Sequence, residues 1–231
     1  MAAQLDRLRF EGTEYEVASL DPAEMAILKK HVMKYMSGES SLLTRLFEDN
    51  WDAIVAAAGV AKSELKRVFN GMYASDNEIG VQLIRPTHIL RSTAATEAAV
   101  NDWTVTLTAD GDYWIGFDTN NTTAINIDKR IGAILWLGVV FTQGGNPTVE
   151  ELLPQLDGVN YPVQVIRHAW WADNTHDLRV ARIRPIIAKA GSTLLVQTYS
   201  ILAQQQEMVA VGLTFATGAY MRLQAPTVIQ V

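Results

Sequence analysis

The feature that most constrains the fold of this chain is an unbroken apolar run, IGAILWLGVVF, which extends from Ile131 to Phe141. A transmembrane helix needs roughly 20 apolar residues, so this run is far too short to cross a bilayer in helical form. A short, uninterrupted apolar run bounded by polar residues is typical of a strand inside a protein core. We therefore predict a buried strand here.

The spacing of apolar residues changes near Gly80. Residues 1–80 hold 22 of the 44 charged residues, and the remaining 151 residues hold the other 22. Apolar residues recur at helical spacings before this point, and short alternating segments follow it. The pattern predicts an α+β protein, with a helical region or arm over residues 1–80 and a mainly antiparallel β-sandwich or jelly roll over residues 81–231.

Composition excludes several classes of protein. The net charge of −6 excludes a surface that is basic throughout, although it leaves room for a local basic patch. The absence of cysteine excludes disulfides, a thiol nucleophile and cysteine-ligated zinc. Charges within the first ten residues argue against a secretory signal, and we expect no membrane partner.

Three helices are predicted in the first part of the chain. The first begins at Asp21, where Glu24 completes a capping box, and it ends at Gly38. The second begins at residue 40 or 41 and is stopped by Gly59, and a shorter third helix covers residues 61–71. The residues that the first two helices are expected to bury are Met25, Leu28, Val32, Tyr35, Met36, Leu43, Phe47, Trp51, Ile54 and Val55.

About eight strands are predicted in the second part of the chain. WTVTLTADGDYWIGF, residues 103–117, alternates on both sides of ADGD and predicts a hairpin. In RPIIAKAGSTLLVQTYS, residues 184–200, one strand is expected to end at Pro185, and a second to follow a glycine turn. TQGGNPTVEELLPQLDG predicts a loop with one short helix, which places Glu150 and Glu151 in a solvated first turn. Other strands are predicted at TAINI, IGAILWLGVVF, YPVQVIRHAW, LRVARIRPII and MVAVGLTFA.

Residues able to bind a metal or to act in catalysis do not form a known pattern. The cluster with the most candidates consists of His168, Asp173, His176 and Asp177. Its spacing is not that of a known ligand set, so a polar turn is predicted there. No serine lies in a nucleophile elbow, and the sequence lacks a phosphate loop. We expect no catalytic residue, no metal and no cofactor, and hence a protein that is not an enzyme.

Two segments are predicted to contact other subunits. Trp170 and Trp171 would point to opposite faces of a strand, which leaves one of them to a partner. The apolar tail APTVIQV, which includes Val228 and Ile229, would add to a strand of a neighbouring copy or lie against it. We therefore expect a homo-oligomer.

One helical segment resembles a known DNA-binding motif. IVAAAGVAKSELKRVFNG, residues 54–71, contains small residues, then Gly59 and Val60, then a basic helix. This arrangement is similar to the helix-turn-helix of lac-repressor-type regulators. The resemblance implies that the helix after the glycine would enter a major groove. The DNA contacts that it implies are Lys62, Ser63, Lys66 and Arg67.

The closing strands carry a second resemblance. Residues 184–200, followed by MVAVGLTFATGAYMRL, are similar to the last strands of jelly-roll and β-sandwich structural proteins of bacteriophage virions. The resemblance implies a protein that works by shape and contact, and it carries over no catalytic or binding residue.

Together these observations predict a non-enzymatic structural assembly protein, a virion component of the capsid-associated, cement or connector type. Its expected partners are copies of itself and other virion proteins, and nucleic acid is not an expected partner. Its expected location is the virion, assembled in the host cytoplasm, or otherwise the cytoplasm. Two alternatives stay open: a transcriptional regulator with a helix-turn-helix and a β-rich ligand-sensing domain, and a carbohydrate-binding β-sandwich.

Overall fold

A hairpin and three helices come first along the chain in the computed structural model, and the strands of two larger sheets, interleaved in sequence, follow them. The structure describes residues 5–10, 13–36, 41–68, 79–85, 88–91, 98–99, 104–107, 111–115, 125–127, 131–141, 149–165, 181–200 and 204–217. The helices are α1 (Pro22–Met36), α2 (Ser41–Asp49) and α3 (Trp51–Val68). The strands are β1 (Leu5–Phe10), β2 (Thr13–Ala18), β3 (Ile79–Leu83), β4 (Ile89–Arg91), β5 (Ala98–Ala99), β6 (Thr104–Leu107), β7 (Gly111–Ile115), β8 (Ile125–Ile127), β9 (Ile131–Phe141), β10 (Val149–Leu156), β11 (Val159–Asn160), β12 (Gln164–Val165), β13 (Ala181–Lys189), β14 (Thr193–Ser200) and β15 (Gln204–Thr217).

The two larger sheets stack face to face, and the helices cover the other side of one of them. This central sheet has the strand order β13-β9-β15-β3, with β6 beside β15. The outer sheet has the order β11-β10-β14-β8-β4-β5, with β12 beside β10 and β7 beside β14. The strand pairs of both sheets are antiparallel. The layers are therefore helices, central sheet and outer sheet, and the predicted α+β class is confirmed.

Each junction between layers has its own hydrophobic core. The sandwich core between the two sheets includes Ile134, Trp136, Leu152, Ile186 and Val196. The helical core between the helices and the central sheet includes Leu28, Val32, Ile54, Leu135 and Phe215. The division into residues 1–80 and 81–231 stays a prediction, but the helices pack on the sheet of their own chain.

Strand β9 confirms the predicted buried strand at the same residues, Ile131–Phe141. It lies between β13 and β15 in the central sheet. Ala133 and Leu135 face the helical core, whereas Ile134 and Trp136 face the sandwich core. A strand that is covered on both faces needs apolar side chains at nearly every position, which explains the unbroken run.

The side-chain alternation of β9 is interrupted twice, because its pairing with β15 shifts register at two places. Between the shifts, Ala133, Leu135 and Leu137 face the helical core. Beyond them, Ile131 and Val139 face the sandwich core. A bulge moves the alternation by one residue, so Ile131 and Val139 face the outer sheet, whereas Val140 packs against the helical core.

Helix α3 lies very close to the strands beneath it, and two glycines make this possible. A Cβ added at Gly132 on β9 would stand 2.8 Å from the Cα of Ala61 on α3. A Cβ added at Gly59 on α3 would overlap Cγ1 of Val17 on β2. Both contacts are closer than van der Waals contact, so these positions accommodate only glycine at the present spacing of the layers.

Helix α1 confirms the predicted capping box. Asp21 Oδ1 accepts hydrogen bonds from two backbone N–H groups of the first turn, and Glu24 Oε2 accepts one from the Asp21 N–H. Leu28 and Val32 are buried, as predicted. Gly38, the predicted end of this helix, lies outside the described residues.

The predicted helix end at Gly59 is wrong. Helix α3 is continuous from Trp51 to Val68, and the break after α2 lies at Asn50. Asn50 Nδ2 donates to the Leu46 carbonyl, and the Asn50 carbonyl accepts from the Ile54 N–H. Asn50 thus satisfies backbone groups between the end of α2 and the start of α3. Gly59, in contrast, allows α3 to pack closely on β2.

The predicted hairpin at residues 103–117 is wrong, although strands form on both sides of its turn. Strand β6 pairs with β15, whereas β7 pairs with β14 in the outer sheet. The residues between them, 108–110, lie outside the described part of the chain. Alternation indicates that a segment is a strand, but the partner is chosen by long-range packing.

The predicted short helix at Glu150 and Glu151 is also wrong, because VEELLPQL forms strand β10. Leu152 and Leu156 belong to the sandwich core, and Glu151 is exposed. Pro154 has no N–H to donate to a helical hydrogen bond, which disfavours a helix at this place.

Strand β10 is joined to β11 by a tight turn at Asp157 and Gly158. Their φ angles are 50° and 82°, the left-handed conformations that a two-residue type I′ hairpin needs. Asp157 also accepts hydrogen bonds from Ser192 Oγ and from the Thr193 N–H, which joins this hairpin to β14. The Asp-Gly pair is a strong hairpin signal in the sequence, and it argues against the predicted helix.

Strand β13 was predicted to end at Pro185, but it continues to Lys189. Its pairing with β9 shifts register between Arg182 and Ile186. Proline is tolerated at a bulge of an outer strand, because its missing N–H is not needed there. The predicted glycine turn is confirmed at Gly191, which has a φ of 75°.

The N-terminal hairpin formed by β1 and β2 is absent from the sequence-based prediction. Tyr15 is buried and Val17 packs against the helical core, whereas Glu14 and Glu16 are exposed. This alternation is a strand signal in a part of the chain where only helices were expected.

Candidate functional site

Strand β13 is the outer strand on one side of the central sheet in the part of the chain that the structure describes, and it is hydrogen-bonded to side chains of other elements. The buried Tyr15 hydroxyl donates to the Ile187 carbonyl at 2.7 Å. The Arg184 N–H donates to Gln164 Oε1 at 3.0 Å, which joins β13 to β12 of the outer sheet. Pro185 removes one further donor. Strand β13 is thus poorly suited to pairing with a strand of another molecule.

Strand β3, the outer strand on the opposite side of the central sheet in the described residues, receives a bond from α1. The Tyr35 hydroxyl donates to the Val81 carbonyl at 3.1 Å. Burial raises the pKa of Tyr35 above its usual value, and the nearby charge of Arg85 opposes this effect. The phenol is therefore protonated near neutral pH and remains a donor.

Exposed apolar side chains lie on the face of the outer sheet that points away from the core. We call this surface the outer patch, and it consists of Glu151, Leu153, Val163, Gln197 and Tyr199. The strand register places Glu151 opposite Tyr199 and Leu153 opposite Gln197, and Val163 lies beside them at the sheet edge. Tyr199 is 41% exposed and Val163 is 49% exposed.

The outer patch can take part in a contact with another protein. Complete burial of an exposed aliphatic or aromatic side chain contributes about 1.5 to 3 kcal/mol, and these two are half-buried already. Because the patch lies on paired strands, little conformational entropy is lost when a partner covers it. The alternation of QTYS in β14 was the sequence signal for an outward-facing Tyr199.

A charged cleft of about 440 Å³ separates the N-terminal hairpin from α3 and β13. Its lining residues are Arg7, Glu14, Tyr15, Glu16, Glu64 and Lys189. Arg7 lies 3.4 Å from Glu14, and Lys189 lies 3.9 Å from the nearly buried Glu64. Two basic and three acidic side chains line the cleft, four of them form these two ion pairs, and the Tyr15 hydroxyl donates to a backbone carbonyl. These residues thus form a polar contact between the N-terminal hairpin and the rest of the protein, with α3 and β13 on the other side of the cleft.

Two of the residues implied as DNA contacts are buried. Lys62 is 9% exposed and Ser63 is 7% exposed. Lys62 Nζ lies 2.6 Å from Glu24 Oε2 and donates to the Ser19 carbonyl at 2.8 Å. This ion pair joins α3 to the start of α1. Since α3 is continuous through Gly59, these residues do not form the turn of a helix-turn-helix.

The remaining predicted site residues lie beyond what the structure describes. Lys66 and Arg67 are part of α3, but their side chains are outside the described part. The predicted interface residues outside it are Trp170, Trp171, Val228 and Ile229. The residues of the polar turn outside it are His168, Asp173, His176 and Asp177. The roles assigned to them stay predictions.

Among the described residues, no three histidine, aspartate or glutamate side chains are grouped so that they could hold a metal ion. In the same part of the chain, no helix is both long and apolar enough to span a membrane. Comparison with protein-family models, with curated proteins and with solved structures finds no match to this chain.

Proposed function

We propose that this chain is a non-enzymatic structural protein that assembles with copies of itself and with other proteins. We propose further that it is a bacteriophage virion component of the capsid-associated, cement or connector type. The observation that carries the first proposal is the outer patch, where Val163 and Tyr199 are exposed on the face of a paired sheet.

The layered fold supports a role in assembly. A central sheet covered on both faces gives a stiff unit, and a stiff unit loses little entropy when it is held in an assembly. The hydrogen bonds that Ile187 and Arg184 already make disfavour growth by strand pairing at β13, and a contact through a sheet face is the route we propose. A contact through faces preserves the fold of each copy.

The virion proposal is supported by the second resemblance. Residues 184–200 lie on β13, the Gly191 turn and β14, one strand in each of the two stacked sheets. Stacked antiparallel sheets are the fold class that this resemblance implies. Mass spectrometry of purified phage particles tests the proposal, and particles that lack the chain would contradict it.

Assembly is tested by the mass of the purified protein in solution across concentration and salt. We expect the mass to rise with concentration, and the double variant Val163→Ser, Tyr199→Ser to shift the rise to higher concentration. Val159→Ser is a matched control, because Val159 is 60% exposed but lies at the hairpin turn outside the outer patch. A wild-type protein that stays monomeric throughout would overturn the proposal.

A labelled DNA duplex, added in a parallel run, separates this proposal from the regulator. We expect no change in mass with duplex, and we expect Lys66→Ala with Arg67→Ala to leave assembly unchanged. Salt-dependent duplex binding that this pair of substitutions abolishes, with the fold retained, would favour the regulator.

A further inference from the structure

Helix α1 carries a basic face on the side away from the helical core. Leu28 and Val32 point into that core, whereas Lys29, Lys30 and Met33 are exposed. Met33 is 51% exposed, which is unusual for a side chain of this size in the described residues. We call these three exposed residues the α1 face.

The α1 face and the outer patch lie on opposite sides of the molecule. Helices form the first layer and the outer sheet forms the third, with the central sheet between them. Among the described residues, four large apolar side chains are clearly exposed. Met33 belongs to the α1 face and Val163 and Tyr199 belong to the outer patch, while Val159 lies at the hairpin turn.

The charges of the two surfaces are complementary. The α1 face carries the ammonium groups of Lys29 and Lys30, and the outer patch carries the exposed carboxylate of Glu151. The chain as a whole has a net charge of −6, so two copies repel each other overall, and a lysine-bearing face that meets an exposed carboxylate reduces this repulsion. The outer patch combines an exposed carboxylate with apolar side chains that a partner can cover.

We propose that the α1 face of one copy binds the outer patch of the next copy, head to tail. This inference rests on the proposed assembly function and specifies its contact. Met33 packs on the ring of Tyr199, since methionine sulfur and aromatic rings attract each other. Lys29 and Lys30 flank this contact and face Glu151. Because the two surfaces differ, the contact is heterologous and generates a ring or a filament.

Single cysteines test the contact directly, since the chain has none of its own. Met33→Cys and Tyr199→Cys proteins, which differ in mass through a tag, are mixed and treated with a short bismaleimide. We expect cross-linked dimers that contain one copy of each, and few dimers when either variant is treated alone. The control mixture pairs Met33→Cys with Val159→Cys, and it should cross-link far less.

Charge reversal provides a second readout that does not depend on cysteine. Lys29→Glu with Lys30→Glu, or Glu151→Lys alone, should each weaken self-association about tenfold, and combining them should restore most of it. Glu48→Lys makes the same charge change as Glu151→Lys at an exposed position of α2, and it should have little effect. Added salt should weaken the wild-type association.

The outcomes separate this inference from the function on which it rests. A wild-type protein that never associates overturns the assembly function. A protein that associates, but that shows no preference for the mixed cross-link and no rescue by the combined charge reversal, overturns only the head-to-tail contact. Cross-links between two Met33→Cys copies would indicate a symmetric contact and also overturn it. Mass that increases only with duplex, and is lost when Lys29 and Lys30 are reversed, would assign the α1 face to nucleic acid instead.

Discussion

The helical core and the sandwich core share the central sheet, but they are built in different ways. On the helical side, α3 approaches so closely that Gly132 lies against the backbone of Ala61. On the sandwich side, large side chains such as Trp136, Ile134 and Leu152 fill the space between the sheets. A helix can come this close to a sheet only where Cβ atoms are missing, whereas two sheets are held apart by the side chains between them.

The difference implies opposite sensitivities. Removing side-chain volume from the sandwich core should lower the free energy of unfolding most, because neighbouring strands cannot close the gap. Adding volume at the junction of α3 with β9 should also lower the free energy of unfolding, because the backbone of Ala61 leaves no room for it. Substitutions in the two cores can test this contrast.

Replacing Trp136 by alanine should be the most damaging single change in the sandwich core. Trp136 is 2% exposed, and its Nε1 donates to the Gly138 carbonyl. Loss of this side chain leaves a large cavity, and we expect the free energy of unfolding to fall by about 4 kcal/mol. Urea denaturation measures the change. Tyr199→Ala on the outer patch is the control, and because this side chain is only half-buried it should cost about 1 kcal/mol, well below the loss at Trp136.

Replacing Gly132 by alanine should destabilise the protein by about 2 kcal/mol, although only one methyl group is added. Adding Ala61→Gly removes one of the atoms that the new Cβ meets, but the backbone of residue 61 stays in place, so we expect partial rescue. Gly158→Ala is the matched control. Its φ of 82° makes alanine strained at a position with open space, and we expect a loss of about 1 kcal/mol. A Gly132→Ala variant as stable as wild type would refute the tight junction of α3 with β9.

The ion pair of Lys62 with Glu24 tests the helical core at its edge, because it holds α3 beside α1. Lys62→Ala removes both the charge and the packed side-chain stem, and it should cost about 2 kcal/mol. Lys62→Met retains the stem and should cost clearly less. Thermal or urea denaturation measures both variants. If Lys62→Ala and Lys62→Met lower the free energy of unfolding equally, packing of the Lys62 stem contributes nothing to stability.

The smallest expected effect concerns Tyr35, which joins α1 to the edge of the central sheet. Tyr35→Phe removes its hydrogen bond to the Val81 carbonyl and should cost about 1 kcal/mol near neutral pH. The pKa of Tyr35 is raised from its ordinary value of 10.0 in the folded protein. Its contribution is therefore fully present below pH 10.0 and declines as pH rises above it, since the unfolded chain ionises first.

The measurement for Tyr35 is the stability difference between wild type and Tyr35→Phe at about pH 8 and about pH 10.5. The other tyrosines are common to both proteins, so their titration cancels in the difference. We expect a smaller advantage of wild type at the higher pH. An advantage that grows with pH would contradict the direction of the pKa shift.

Local signals in the sequence predicted several elements well. The apolar run at Ile131–Phe141 indicated a buried strand, and the structure has the same bounds. The capping box of Asp21 and Glu24 marked the start of α1. In both cases the deciding physics lies within a few neighbouring residues, so no distant contact is needed to make the prediction.

Signals that depend on distant partners misled the prediction. Gly59 was interpreted as a helix end, yet it accommodates Val17, which is far away in the sequence. Residues 103–117 alternate as a hairpin should, yet their strands pair with β15 and β14. The outer patch was not predicted at all, because Val163 and Tyr199 come to lie on the same face only when β12 and β14 flank β10.

Local patterns in the sequence were enough to place the buried strand at Ile131–Phe141, the start of α1 and the glycine turn at Gly191. These properties follow from side-chain periodicity and from capping groups that act locally. Long-range packing was needed to fix the continuity of α3 through Gly59, the pairing of the strands and the surfaces that remain exposed on opposite sides. A glycine or an alternating segment has several permitted conformations, and the close approach of distant residues selects one of them.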